Sequence, residues 1–96
     1  MTTHFPDDDS IIPEWDGLPL VSTDHALEKM MELSMRLYDV AILLEYAEPC
    51  GDKRKKGTYE LCDKWKGKDI KIVFTKKYSG WVDNIAWIII TIIEKR

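Results

Sequence analysis

Cysteine, histidine and glycine are all scarce: two, two and five in 96 residues. Cys50 and Cys62 cannot build the disulfide framework of a small secreted scaffold. With His25 they still lack the close ligand pairs of a structural zinc site. Neither metal nor cofactor is therefore expected. A long apolar run is also missing. The longest is Ile85–Ile93, interrupted by Thr91, whereas a helical membrane span needs about 20 residues. No membrane association is expected. The first residues are acidic and contain Pro6, so they do not read as a signal peptide, and the expectation is a cytoplasmic protein with reduced thiols. There is no phosphate-binding glycine loop, no serine-nucleophile signature and no carboxylate pair at motif spacing.

Cations are scarce in one half only. Residues 1–51 contain Lys29 and Arg36 against eleven Asp and Glu, a net charge of −9. Residues 52–96 contain twelve Lys and Arg against six Asp and Glu, net +6, and the two halves sum to the overall −3. Such asymmetry points to a polyanion partner for the basic half. The length suits one domain, and no segment repeats.

Residues 1–16 read as an acidic tail, with Asp7-Asp8-Asp9 between Pro6 and Pro13. Ile11, Ile12 and Trp15 are apolar islands that suit contact with the body of the protein or a neighbour. Residues 17–96 form the domain. Leu18-Pro19-Leu20-Val21 is a short extended segment, which Pro19 would restrict to a sheet edge. Ser22-Thr23-Asp24 signals a helix start. Two apolar stripes follow without Gly or Pro between them: Leu27, Met30 and Met31, then Leu37, Val40, Ala41 and Leu44. They fit one helix of about 22 residues or two helices broken near Ser34–Arg36, and we expect two. Thr58–Trp65, Lys68–Lys77 and Asn84–Glu94 read as strands, joined by Lys66-Gly67 and by Tyr78–Asp83. The expected fold is α+β, in the order β-α-α-β-β-β. Two N-terminal helices pack on a three- to four-stranded antiparallel sheet. The even residues of the last strand, Ala86, Ile88, Ile90 and Ile92, are expected to face the helices. That would leave Trp87 and Thr91 on the other face.

Three constellations could carry function. Lys53-Arg54-Lys55-Lys56 is a run of four cations whose mutual repulsion a fold does not need; paired with phosphates it would release counterions. Tyr59, Trp65, Trp81 and Trp87 are interleaved with further lysines in the same half, a combination that suits RNA. A solvated loop with lysine-protected edges fits the same residues. His25 opens the first helix, where the dipole favours a neutral imidazole able to act as a base toward a ribose hydroxyl. Lys29 follows one turn later; a local hydrogen bond is the plainer role for His25. Thr91 is the one polar residue of an isoleucine-rich strand, either satisfied locally or turned toward a ligand.

The run Ser22-Thr23-Asp24-His25-Ala26-Leu27-Glu28-Lys29-Met30 resembles the T-x-H-A-x-x-[RK]-M opening of a family of small prokaryotic, archaeal-type domains of unknown function. Asp39-Val40, Pro49, Lys53–Lys56 and Ile90-Thr91 match further short motifs of that family. The likeness spans about residues 20–93. Lys29 stands where Arg is commoner, and Leu33-Ser34 replaces an Arg-Gly turn. The family is distantly similar to RelE-like and barnase-like ribonuclease toxins. The resemblance therefore implies RNA binding or metal-independent RNA cleavage, with His25, Lys29 and Thr91 as catalytic residues and an antitoxin-like protein as partner. Lys53, Arg54, Lys55, Lys56 and Tyr59 would hold the RNA. The alternative is a non-catalytic interaction module, a homodimer or a partner-binding domain that uses the outer sheet face. In a third reading the acidic tail covers the basic loop as a polyanion mimic.

Overall fold

Two short turns set the register of the sheet. Asp16-Gly17 and Lys66-Gly67 each have both residues at positive φ, the geometry of a two-residue hairpin whose twist matches the flanking strands. In the computed structural model, which describes residues 12–50 and 57–95, the first turn joins β1 (Glu14–Trp15) to β2 (Leu18–Ser22). The second joins β4 (Thr58–Trp65) to β5 (Lys68–Ser79). Between β2 and β4 lie α1 (Asp24–Glu32), α2 (Leu37–Tyr46) and β3 (Glu48–Pro49); β6 (Asn84–Glu94) follows β5.

The fold is α+β, and among the described residues its sheet has six strands, in the order β1-β2-β6-β5-β4-β3. Two short strands, β1 and β3, extend it beyond the expected three to four. The sheet is mixed, because β2 runs parallel to β6. A helical crossover returns the chain to the far side of the sheet, and parallel pairing requires such a connection. β2 is not an edge strand. Its pairing with β1 covers Leu18 and Pro19, and its pairing with β6 begins at Leu20. The missing N–H of Pro19 thus falls where one ladder hands over to the other. Trp15, one of the apolar islands of the acidic segment, packs against the core.

Two helices form, as expected, although no glycine separates them. Ser34 takes a left-handed φ of 54°. Its N–H donates to the Met31 carbonyl and that of Met35 to the Met30 carbonyl, which is the Schellman arrangement for ending a helix. Met30 and Met35 are both buried there. The Trp65 indole N–H donates to the Leu33 carbonyl at 2.7 Å, satisfying another exposed helix-end acceptor. α2 then starts at Arg36, whose N–H donates to the Asp39 carboxylate at 2.9 Å.

The core lies between the helices and one face of the sheet. Ala26, Met30, Val40 and Leu44 from the helices meet Leu20, Ile70, Ile72, Phe74, Ile89 and Ile92 from the strands. The helix-facing residues of β6 differ from the expected even set. Phe74 pairs with Ile89 and Val73 with Thr91, so Ile90 is an extra residue, a β-bulge. Trp87 and Ile89 face the core before the bulge and Ile92 after it. Strict alternation fails because one unpaired residue exchanges the two faces.

The thiols are not free. Cys50 and Cys62 form a disulfide with Cα atoms 5.7 Å apart. Pairing of Glu48 with Cys62 in the β3–β4 ladder carries Cys50 alongside. Two cysteines twelve apart in sequence give no local sign of that proximity.

Candidate nucleic-acid interface

The β5–β6 hairpin is longer than the rest of the sheet. Thr58, the first residue of β4, pairs with Thr75, and the pairing of β2 with β6 begins at Leu20 and Trp87. Among the described residues, Lys77 to Ser79 and Asn84 to Ala86 therefore pair only with each other. They form a two-stranded ribbon roughly 10 Å long, plus its turn. Strand β5 was expected to stop at Lys77; it continues through Tyr78 and Ser79 because Tyr78 pairs with Ile85 and Ser79 with Asn84.

Side chains that face the core farther along face solvent here. Phe74 is buried, and beyond it on the same face come Lys76 and Tyr78 from β5 with Ile85 from β6. Trp81, at the tip, is 83% exposed. An aromatic cluster roots the ribbon. Trp15, Phe74 and Trp87 pack with ring centres 5.2–5.7 Å apart, and Tyr59 stacks on Phe74 at 5.6 Å. Trp87 donates its indole N–H to the Trp15 carbonyl at 3.0 Å. It is thus held inward, not on the outer face as its odd position suggested. The Lys76 ammonium sits over the Trp87 ring at 5.2 Å, a cation–π contact that fixes the charge on the shelf. Tyr59, half exposed, lies at its inner end.

At the tip, the Tyr78 hydroxyl donates to Asp83. This hydrogen bond, with a little desolvation, raises the Tyr78 pKa above its usual 10.0. Asp83, at a φ of 53°, closes the turn. At the root, Thr75 donates its hydroxyl to the Gly57 carbonyl. Gly57 is the residue that follows the basic run Lys53, Arg54, Lys55 and Lys56, which lies outside the described residues.

The other expected site residues lie elsewhere. His25 is exposed in the first turn of α1, and Lys29 pairs with Glu32 at 3.7 Å. Thr91 is half-buried and pairs with Val73, on the sheet face opposite the one that α1 covers. No hydrogen bond or ion pair among the described residues joins the three. The strongest polar contact of the T-x-H-A stretch belongs to Thr23. Its hydroxyl accepts from the Ala26 N–H at 3.0 Å and donates to the Ile90 carbonyl at 3.0 Å, while its own N–H donates to the Ile89 carbonyl. Thr23 therefore caps α1 and ties it to the bulge of β6. Ala26, fully buried, lets the helix approach closely. These two motif positions are explained by the fold alone.

Lys76, Lys77, Tyr78 and Trp81 are the surface residues that the expected site omitted. Their sequence signal is a change of pattern within one strand. Ile70, Ile72 and Phe74 alternate as a buried face does, and Lys76 and Tyr78 continue the same register without apolar character.

Comparison with family models, curated proteins and solved structures finds no match to this chain.

Proposed function

We propose that this chain binds single-stranded RNA along the exposed shelf of the β5–β6 ribbon. Tyr59, Tyr78 and Trp81 would stack unpaired bases. Lys76 and Lys77, with the basic run Lys53–Lys56, would pair with phosphates. The observation that carries this reading is the ribbon itself, an aromatic surface with one fixed cation, Lys76, exposed where the rest of its sheet face is packed. Stacking platforms beside a basic track are the usual means of holding single strands. The resemblance to RelE-like toxins agrees with RNA as ligand. Cleavage by His25, Lys29 and Thr91 acting together has no such geometric support, because Thr91 sits on the opposite sheet face from α1.

Fluorescence anisotropy with a labelled single-stranded RNA tests the proposal. Trp81→Ala should weaken binding about 5- to 150-fold, the range for loss of one base–aromatic stack. If all six cations contact phosphate, the log–log salt slope should be about −4. Binding that ignores both salt and Trp81→Ala would overturn it. Gel analysis of the same RNA, with His25→Ala beside the wild type, reads out cleavage separately.

A further inference from the structure

The Cys50–Cys62 bridge lies apart from the ribbon's shelf, on the other face of the sheet. Cys62 pairs with Lys71 in β5 and with Glu48 in β3. Ile70 and Ile72, on either side of Lys71, are buried under the helices, so Lys71 and Cys62 point away from them. Both cysteines are only half-buried. The two sulfurs are not equivalent. Cys62 is flanked by strands on both sides, whereas Cys50 follows β3, the outermost strand on that side among the described residues. Lys95 aims its ammonium at the Cys62 sulfur, 3.8 Å away. Its backbone N–H is anchored on the Asp69 carbonyl at 2.7 Å, and no carboxylate among the described residues lies within ion-pair distance of its ammonium. The neighbouring charges do not cancel it. Lys71 pairs with Glu60 at 3.4 Å and Lys64 with Asp69 at 2.6 Å. Glu48 lies across from Cys62 and two residues before Cys50, so it does not distinguish them. An ammonium beside a sulfur stabilises its thiolate, and the sulfur with the more stable thiolate leaves faster in exchange.

We propose that the bridge is an exchange site for a small thiol, which attacks at Cys50 and displaces Cys62. The incoming thiolate bonds to the Cys50 sulfur. The Cys50–Cys62 bond breaks, and its electron pair leaves on Cys62 as a thiolate facing the Lys95 ammonium. The product is a mixed disulfide on Cys50. A second small thiolate then attacks the small-thiol sulfur of that mixed disulfide and releases Cys50, which takes up a proton. The two small thiols leave joined as their own disulfide, oxidised by the two electrons that reduce the bridge. The exchange frees β3, whose two residues are both exposed and are held by pairing with β4 and by the bridge. The core cluster includes neither cysteine, so the domain stays folded and can close the bridge again on oxidation.

Millimolar glutathione is the probe, acting on the whole oxidised chain. Samples are quenched with N-ethylmaleimide during the first exchange, and the two cysteines are mapped by mass spectrometry. The early product should carry glutathione on Cys50 and the maleimide on Cys62. Lys95→Gln should slow opening about threefold, the effect of raising the leaving thiol's pKa by roughly one unit. It should also spread the glutathione more evenly over the two cysteines. That ratio, unlike the rate, does not depend on how strongly the anionic thiol is drawn to the protein. Lys66→Gln removes an equal charge at the β4–β5 turn, where the ammonium lies over the Trp65 ring, and should leave rate and ratio unchanged. Lys95 and Lys66 are both exposed, and circular dichroism checks that their variants stay folded. A bridge that glutathione does not open would overturn the proposal. So would equal adducts in the wild type, or a ratio indifferent to Lys95→Gln. Glutathione found mainly on Cys62 would overturn it as well, by making Cys50 the leaving sulfur.

Discussion

The two ends of the β5–β6 hairpin share one pair of strands and face opposite fates. At one end Ile70, Ile72, Phe74, Ile89 and Ile92 are all buried under the helices. At the other, Lys76, Tyr78 and Ile85 continue the same ladder in the open, with Trp81 exposed in the turn beyond. The two strands pair with each other along the whole length, with one bulge, but only the packed end is also flanked by β4 and β2 and covered by the helices. Backbone pairing makes a strand possible, and burial decides how much each side chain contributes. A protein can therefore extend a well-anchored hairpin beyond its core and present side chains there at little cost to stability.

The sharpest way to break this contrast is to truncate one aromatic side chain at each end. Phe74→Ala should cost about 3–5 kcal/mol in urea unfolding, the range for a buried Phe. Tyr78→Ala should stay within about 0.5 kcal/mol, as exposed substitutions usually do. Comparable losses would mean that the ribbon is covered in solution. Next comes the Cys50–Cys62 bridge, which fastens β3 to β4 on the side of the sheet away from β2. Reduction should lower stability by about 2–4 kcal/mol without abolishing folding, because the core cluster does not include it. Coincident urea curves with and without reductant would show that the bridge contributes nothing. Third is the junction of α1 with the packed half of β6. Thr23→Val keeps the shape but loses the cap and the bond to the Ile90 carbonyl, and should cost about 1–2 kcal/mol. Thr23→Ser should restore most of that stability.

The smallest effect separates the ends by pH. Hydrogen bonding to Asp83 raises the Tyr78 pKa above 10.0. The ribbon contact is thus fully present below pH 10 and is lost as pH rises through the raised value. At the packed end Asp69 behaves oppositely. The hydrogen bond and charge of Lys64 hold its pKa below 3.8. Its contribution is present above that value and disappears as pH falls through the lowered one. Both groups are exposed, so the global stability curve should hardly register either. Ultraviolet titration should show one tyrosine ionising late, and Tyr78→Phe should remove that step. A late step that survives Tyr78→Phe would assign it elsewhere.

Much of this architecture is legible in local sequence. Thr58–Trp65 and Asn84–Glu94 match the observed strands residue for residue, since β-branched and aromatic runs bounded by turn residues leave few alternatives. The helix break near Ser34 is legible as well, from the offset between two apolar stripes. The candidate site was less so. The basic run and Tyr59 are visible in composition, whereas the ribbon depends on where the pairing with β4 and β2 stops. Thr23 was legible as a helix-start residue, but its bond to the Ile90 carbonyl, 67 residues away in sequence, was not. Thr91 was assigned with Trp87 by strict alternation, which one bulge defeats.

The sequence alone determined the α+β class, the two helices, the Lys66-Gly67 turn and the separation of acidic from basic halves. Each of these rests on interactions within a few residues or on composition, so each is visible without a fold. Only the tertiary structure decided the parallel pairing of β2 with β6, the bulge at Ile90, the disulfide and the exposed end of the hairpin. These arise from contacts between segments dozens of residues apart or from the places where one element outruns its neighbours. No local pattern encodes where a cover ends.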